Sequence, residues 1–238
     1  DSLYSIKEPI YSWHKIREEI KKKIGNDKDR IYLNHKIENI IKKEKYILVC
    51  KKKNYSFDFI IDASYEGSNK LSRNIIEPKK KIYQVTNVIE CKITNFSSMG
   101  FALFDGPFFS FLPKGDYKNK NILLYHAKYS VLKKKISKHY NDKWNRNKLL
   151  NKIIKKNNTK IKIDIKKYIP EFKFKFIKNF ISSRVFLPEN TKTEKRTSLV
   201  KRPEKKYIQI FSGKVDHSVD VANKVLKILK SFTKSKKN

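Results

Sequence analysis

Glycine is scarce in this chain. It stands at six positions, 25, 67, 100, 106, 115 and 213, and no two of them form a G-x-G pair. The glycine turn that cradles a dinucleotide pyrophosphate is therefore missing from this sequence. Cysteine is scarcer still. Cys50 and Cys91 each sit in an apolar, strand-like run, which suits small buried hydrophobes in a reducing compartment better than a disulfide or a metal pair. The five histidines, at 14, 35, 126, 139 and 217, show no ligand spacing, so metal chemistry has no support. No apolar run approaches the roughly 18–20 residues that span a bilayer. The opening residues DSLYSIKEPIYSW lack the charged start and apolar stretch of a signal peptide. A cytoplasmic location is the expectation.

Acidic residues are also few: 23, against 57 basic ones, for a formal charge of +34. Such an excess attracts phosphate, and a non-enzymatic basic protein that binds nucleic acid or an acidic surface is one reading of it. Two features weigh against that reading. Only seven of the basic residues are arginine, the side chain suited to bidentate phosphate and base contacts. The lysines are also spread evenly, with KKK at 21–23, 51–53, 79–81 and 133–135. That distribution resembles compositional drift onto solvated faces. Against the charge stands an apolar fraction of 39% with 13% aromatics, too much for a disordered chain and enough for a core.

Residues 9–24 place Ile10, Trp13, Ile16, Ile20 and Ile24 at helical spacing before Gly25. Short β-type runs follow at 31–34, 37–41, 46–51 and 57–63. From Lys81 to Lys128 longer apolar runs, YQVTNVIECKIT, FALFDGPFFSFLP and NILLYHAKYS, predict an antiparallel sheet. The run Phe101–Pro113 holds five phenylalanines and is apolar on both faces if it is one strand. A helix or a flat ligand must then cover its second side. Residues 130–158 read as helix, 172–180 as a half-exposed strand, and 207–211 as a strand. A tight Ser212-Gly213-Lys214 turn then leads to a helix from about His217, with Asp216 as its expected N-cap.

Three separated motifs are similar to one family. FDFIIDASYEGSN (57–69), MGFALFDGPFFSFLPKG (99–115) with LLYHAKYS (123–130), and RTSLV (196–200) with YIQIFSGKVDHSVDVA (207–222) occur in that order. Together they resemble the D-amino-acid-oxidase-like FAD-dependent oxidoreductases. The resemblance implies an α/β (α+β) fold: the remnant of a Rossmann-like FAD-binding domain plus an antiparallel-sheet substrate domain. The implied organisation is 1–80 for the end of the first FAD-domain segment, 81–185 for the substrate domain, and 186–238 for the return to the FAD domain. FAD is the implied cofactor. Its implied contacts are Ala63, Ser64 and Tyr65 at the strand exit, and Gly213, Lys214, Val215 and Asp216 at the second turn.

The implied substrate-pocket residues are Asp105, Phe109, Ser110, His126 and Arg196, and Arg184 is a further candidate from its position alone. The two arginines stand out because arginine is rare here, and a carboxylate clamp is a use that lysine serves poorly. The implied reaction is hydride transfer from a small amine, amino acid or alcohol to the flavin, with an electron acceptor that the residues do not specify. The flavin carries such chemistry, so no catalytic acid or base is needed. The chain departs from the family in lacking G-x-G-x-x-G, and that unit is expected upstream of Asp1. Asp62 and Ser64 replace the commoner asparagine and threonine, and His217 stands where a small polar residue is usual.

Overall fold

The computed structural model describes residues 4–5, 12–26, 31–95, 99–103, 108–115, 120–145, 148–190 and 197–234. In chain order the first elements are α1 (Trp13–Asn26), β1 (Ile37–Lys42), β2 (Tyr46–Cys50), β3 (Tyr55–Phe57), β4 (Ile60–Asp62) and α2 (Ser68–Leu71). Next come β5 (Lys81–Ile93), β6 (Phe101–Ala102), β7 (Phe109–Pro113), β8 (Asn121–His126) and β9 (Val131–Ser137). The last are α3 (Lys148–Tyr168), β10 (Phe174–Phe186), β11 (Leu199–Glu204), β12 (Tyr207–Phe211) and α4 (Ser218–Lys234). The fold is mixed α+β, with four α-helices and three sheets among the described residues.

Two compact units divide the chain. One comprises Asp1–Tyr32, Val85–Lys133 and Asn145–Ser182; the other comprises Leu33–Gln84, Lys134–Trp144 and Ser183–Asn238. Residues 1–32 thus group with the sheet-forming middle of the chain, and 134–144 group with the flanking segments.

The first unit is built on the Val85–Ile93 part of β5, a strand whose 13 residues are almost wholly buried. The sheet order is β10-β5-β8-β7-β6, with β9 also pairing β5. Its pairings β5–β8, β8–β7 and β7–β6 are antiparallel. Alternation sends Ile89, Cys91 and Ile93, Phe109 and Phe111, and Ile122 and Leu124 to one face, where they form a core with Ile161 and Ile165 of α3 and with Phe172. Phe111 stacks on Phe172 at a centroid distance of 4.9 Å.

The expected single strand Phe101–Pro113 is instead two strands, β6 and β7, paired Phe101 to Phe111 and Ala102 to Ser110. The phenylalanine face is covered by a helix, α3. The other face presents Ser110, Leu112, Leu123 and Tyr125, each partly or largely open.

Residues 130–158 also differ from expectation. Val131–Ser137 is strand β9, and the helix begins at Lys148 and continues to Tyr168. The run VLKKKIS alternates well enough to pair with β5, while Leu150, Ile154, Ile161 and Ile165 supply the buried helical stripe.

In the second unit β1, β2 and β3 form an antiparallel meander. The residues 31–34 expected as strand are irregular, ending in a turn at Leu33-Asn34, where Asn34 adopts φ 60°. The run 57–63 is likewise divided: Phe57 ends β3, and Ile60–Asp62 form β4 in a different sheet. That sheet has the order β11-β12-β4, with β11 antiparallel and β4 parallel to β12. Pro203 sits in β11, an edge strand of this sheet, where its missing N–H is tolerated. A core of Ile40, Tyr46, Ile60 and Tyr207 joins the meander to the sheet.

Candidate functional site: the shared exit of two parallel strands

In the second unit β4 and β12 run parallel with Tyr207 beside Ile60, Ile208 beside Ile61 and Gln209 beside Asp62. Their carboxyl ends therefore lie at the same edge. Two segments that the sequence nominates for a cofactor, 63–65 and 213–216, follow these strands, the first continuing from Asp62 and the second lying beyond Phe211. Ligands of parallel sheets bind beyond such ends, because the backbone groups there are not used by the ladder.

Asp62 fixes the first exit. Its side chain is buried, yet it accepts from the Ser64 N–H (2.9 Å), the Ser64 hydroxyl (2.5 Å) and the Tyr207 hydroxyl (2.8 Å). These bonds shape the turn that holds Ala63, exposed, and Ser64, half-buried. Tyr65 follows with φ 53°, a left-handed conformation that a bulky residue rarely takes. Its hydroxyl accepts from the Val185 N–H at 2.9 Å and its ring stacks on Phe211 at 5.7 Å. Both ends of the side chain are thus anchored, which holds the strained backbone in place.

Beneath this turn lies a polar network that composition did not reveal. Ser68, Ser72 and Lys81 are all buried. The Lys81 ammonium donates to the Ser68 hydroxyl (2.7 Å), which donates to the Tyr65 carbonyl (2.8 Å), and lies 5.2 Å from the centroid of the Phe211 ring. The Gln209 amide donates to the Ser72 hydroxyl at 3.2 Å. Burial pushes Lys81 down to about 8, even with Asp62 nearby raising it. Lys81 belongs to a KKK run, so nothing in sequence sets it apart from its neighbours.

The second exit differs from expectation in two ways. The N-cap of the short 3-10 turn Val215–His217 is Lys214, in an extended conformation and without a side-chain cap; Asp216 lies inside the turn. The Gly213 N–H, expected to be free for a cofactor, donates to the Ser198 hydroxyl at 3.1 Å. Ser198 is also 2.9 Å from His217 Nδ1. Ser198, just before β11, thus tethers the turn through its hydroxyl. Lys214, Val215 and Asp216 remain exposed.

A pocket of about 340 Å³ opens beside β4, lined by Ile37, Ile40, Leu48, Phe57, Asp62, Ala63 and Ser64 among others. Its apolar wall comes from the meander and its polar rim from the Asp62 turn.

The expected substrate residues fall into three groups. Asp105 and Arg196 lie outside the described residues. Ser110 lies on the open face of the first unit's sheet, and Arg184 is half-buried in β10. Phe109 and His126 are fully buried in the first unit, so a pocket-lining reading gives way to a structural one. His126 Nδ1 accepts from the N–H groups of Lys128 (3.2 Å) and Tyr129 (3.3 Å), and Nε2 faces Asp164 of α3 at 3.5 Å. The strand alternation that sends Ile122 and Leu124 inward sends His126 with them.

No protein-family model matches the chain, and no curated protein matches it. Among the described residues no group of three or more His, Cys, Asp or Glu is placed to hold a metal ion, and no helix is long and apolar enough to cross a membrane. Both cysteines are free and buried, and burial pushes the Cys91 thiol up to about 12.

Proposed function

We propose that this chain is part of an FAD-dependent oxidoreductase of the D-amino-acid-oxidase-like family. It would hold the flavin at the shared exit of β4 and β12 and oxidise a small amine, amino acid or alcohol. The observation that supports this reading is the parallel register of Gln209 beside Asp62, so that the strands before 63–65 and 213–216 run in the same direction as neighbours. The finer fold reading, a remnant of a Rossmann-like domain, rests on the same parallel pair and its following helix α4.

The residues present fit part of that cofactor. Small, accessible Ala63 and Ser64 beside an apolar wall suit a flat ring system, and a pocket of about 340 Å³ holds a portion of a dinucleotide rather than all of it. Ala63, Ser64, Lys214 and Val215 would make the contacts, and bound flavin would supply the hydride-accepting chemistry. Lys214, on the exposed second exit, would place positive charge near the ring.

The test is expression and purification of the protein, followed by its absorbance spectrum. Purified protein that carries flavin absorbance supports the reading. Colourless protein whose DNA affinity falls log-linearly with salt would replace it with the basic-binding alternative.

A further inference from the structure

Helix α1 belongs to the first unit, and its apolar residues have the spacing of a buried stripe. Three of them are nevertheless open to solvent: Trp13 is 54% exposed, Ile16 37% and Ile20 46%. At the α-helical repeat these three and half-buried Ile24 fall in one stripe, with Arg17 and Lys21 along one side and Lys23 along the other. Lys15, Glu18, Glu19 and Lys22 occupy the opposite half. Glu18 is matched by Lys21 at 3.3 Å and Glu19 by Lys22 at 2.8 Å. The helix thus sets cations beside its apolar stripe and keeps its acids away from it. A helix of 14 residues is marginal in water on its own hydrogen bonds, and burying such a stripe is what ordinarily holds it.

We propose that α1 lies on the surface of an anionic lipid bilayer, with Trp13, Ile16 and Ile20 in the headgroup boundary and Arg17, Lys21 and Lys23 against the lipid phosphates. Apolar burial and attraction to anionic headgroups add at such an interface. Lysine stems can follow the apolar stripe while their ammonium groups stay at the phosphates. Three other occupants fit less well. Nucleic acid offers phosphate to the lysines but no aliphatic surface to Ile16 and Ile20. A second copy would bring another formal charge of +34 to the same face. An acidic protein groove wraps its helix and would meet Glu18 and Glu19, whereas a flat surface leaves them in water. Lysine is also depleted from protein interfaces. The inference does not require the flavin.

The experiment mixes the full chain, at physiological salt, with vesicles of phosphatidylcholine alone or of equal parts phosphatidylcholine and phosphatidylserine. The expected result is co-sedimentation with the mixed vesicles, and binding at least about tenfold weaker to phosphatidylcholine alone. A blue shift of tryptophan emission should accompany binding; it reports Trp13, because Trp144 is already buried. The Ile16→Ser/Ile20→Ser double variant keeps every charge and should bind the mixed vesicles at least about tenfold more weakly than the wild type. Ile163→Ser, at an exposed position of α3, should bind like the wild type. Lys23→Gln should weaken binding about fivefold. Equal binding by the wild type and the double variant would mean adsorption through general positive charge. A lipid-free dimer that the double substitution dissociates would give the stripe to a second copy. Either result, or a wild type that binds neither vesicle, would overturn the proposal.

Discussion

The Tyr207 hydroxyl donates to the Asp62 carboxylate at 2.8 Å, tying the first residue of β12 to the last residue of β4. Both groups are buried, so neither has water to fall back on. The Tyr207→Phe variant strands an Asp62 oxygen and should lose about 1–3 kcal/mol of stability, read as a lower urea midpoint. Asp62→Asn should cost less than Asp62→Ala, because an amide oxygen still accepts from Ser64 and tyrosine can accept from the amide nitrogen. Equal losses in the two Asp62 variants would mean that these hydrogen bonds contribute little.

His126 predicts an acid sensitivity with a defined sign. Burial holds its value below the usual 6.5, and the nearby Asp164 offsets this only in part. The folded chain therefore keeps His126 neutral where the unfolded chain would protonate it. Its contribution is fully present above about pH 6.5 and declines as pH falls below that value. Denaturation midpoints of the wild type should fall as pH drops below about 6.5, and His126→Leu should flatten that slope.

Glu90 makes a second acid-sensitive point, nearer the ordinary carboxylate range. It is buried, which favours the neutral form, yet the Lys114 hydrogen bond at 2.7 Å, with the charges of Lys114 and Lys178, holds it below its usual value. Its contribution is present above about pH 4.5 and lost as pH falls through the folded value. Glu90→Gln should cost about 1–3 kcal/mol at neutral pH. The difference between variant and wild type should shrink toward acid pH, measured by urea denaturation at both.

Ser198 closes the second exit by accepting from the Gly213 N–H. Ser198→Ala should speed hydrogen exchange at the Gly213 amide and cost about 1 kcal/mol. An unchanged exchange rate would mean that the turn is held by other bonds.

Much of the fold was legible because alternation and helical spacing are local. YIQIF at 207–211 and IENII at 37–41 became strands within a residue of the expected limits. The runs that misled were those where one apolar stretch served two partners. FDFIID divides between β3 and β4, and FALFDGPFFSFLP folds back as β6 and β7. Nothing in either run says which sheet will take which half. Residues 131–137 hold three consecutive lysines that mark neither spacing, and their pairing with β5 is a long-range contact.

The candidate site rests partly on chain order and partly on burial. The segments after two strands were named from sequence, but the parallel pairing of those strands, β4 and β12, is a long-range contact. Lys81 was one lysine in a run of three until its surroundings distinguished it from Lys79 and Lys80. Ser198 and His217 lie 19 residues apart in sequence, with no spacing that announces their hydrogen bond.

The central claim is that a flavin ring seats at the joint exit of β4 and β12. It is tested most directly by titrating riboflavin and FAD into the isotopically labelled chain and following backbone amide shifts. The account predicts weak binding, with the largest shifts at Ala63, Ser64, Tyr65 and Lys214–Asp216. Shifts confined to other residues, or none at saturating riboflavin, would contradict it.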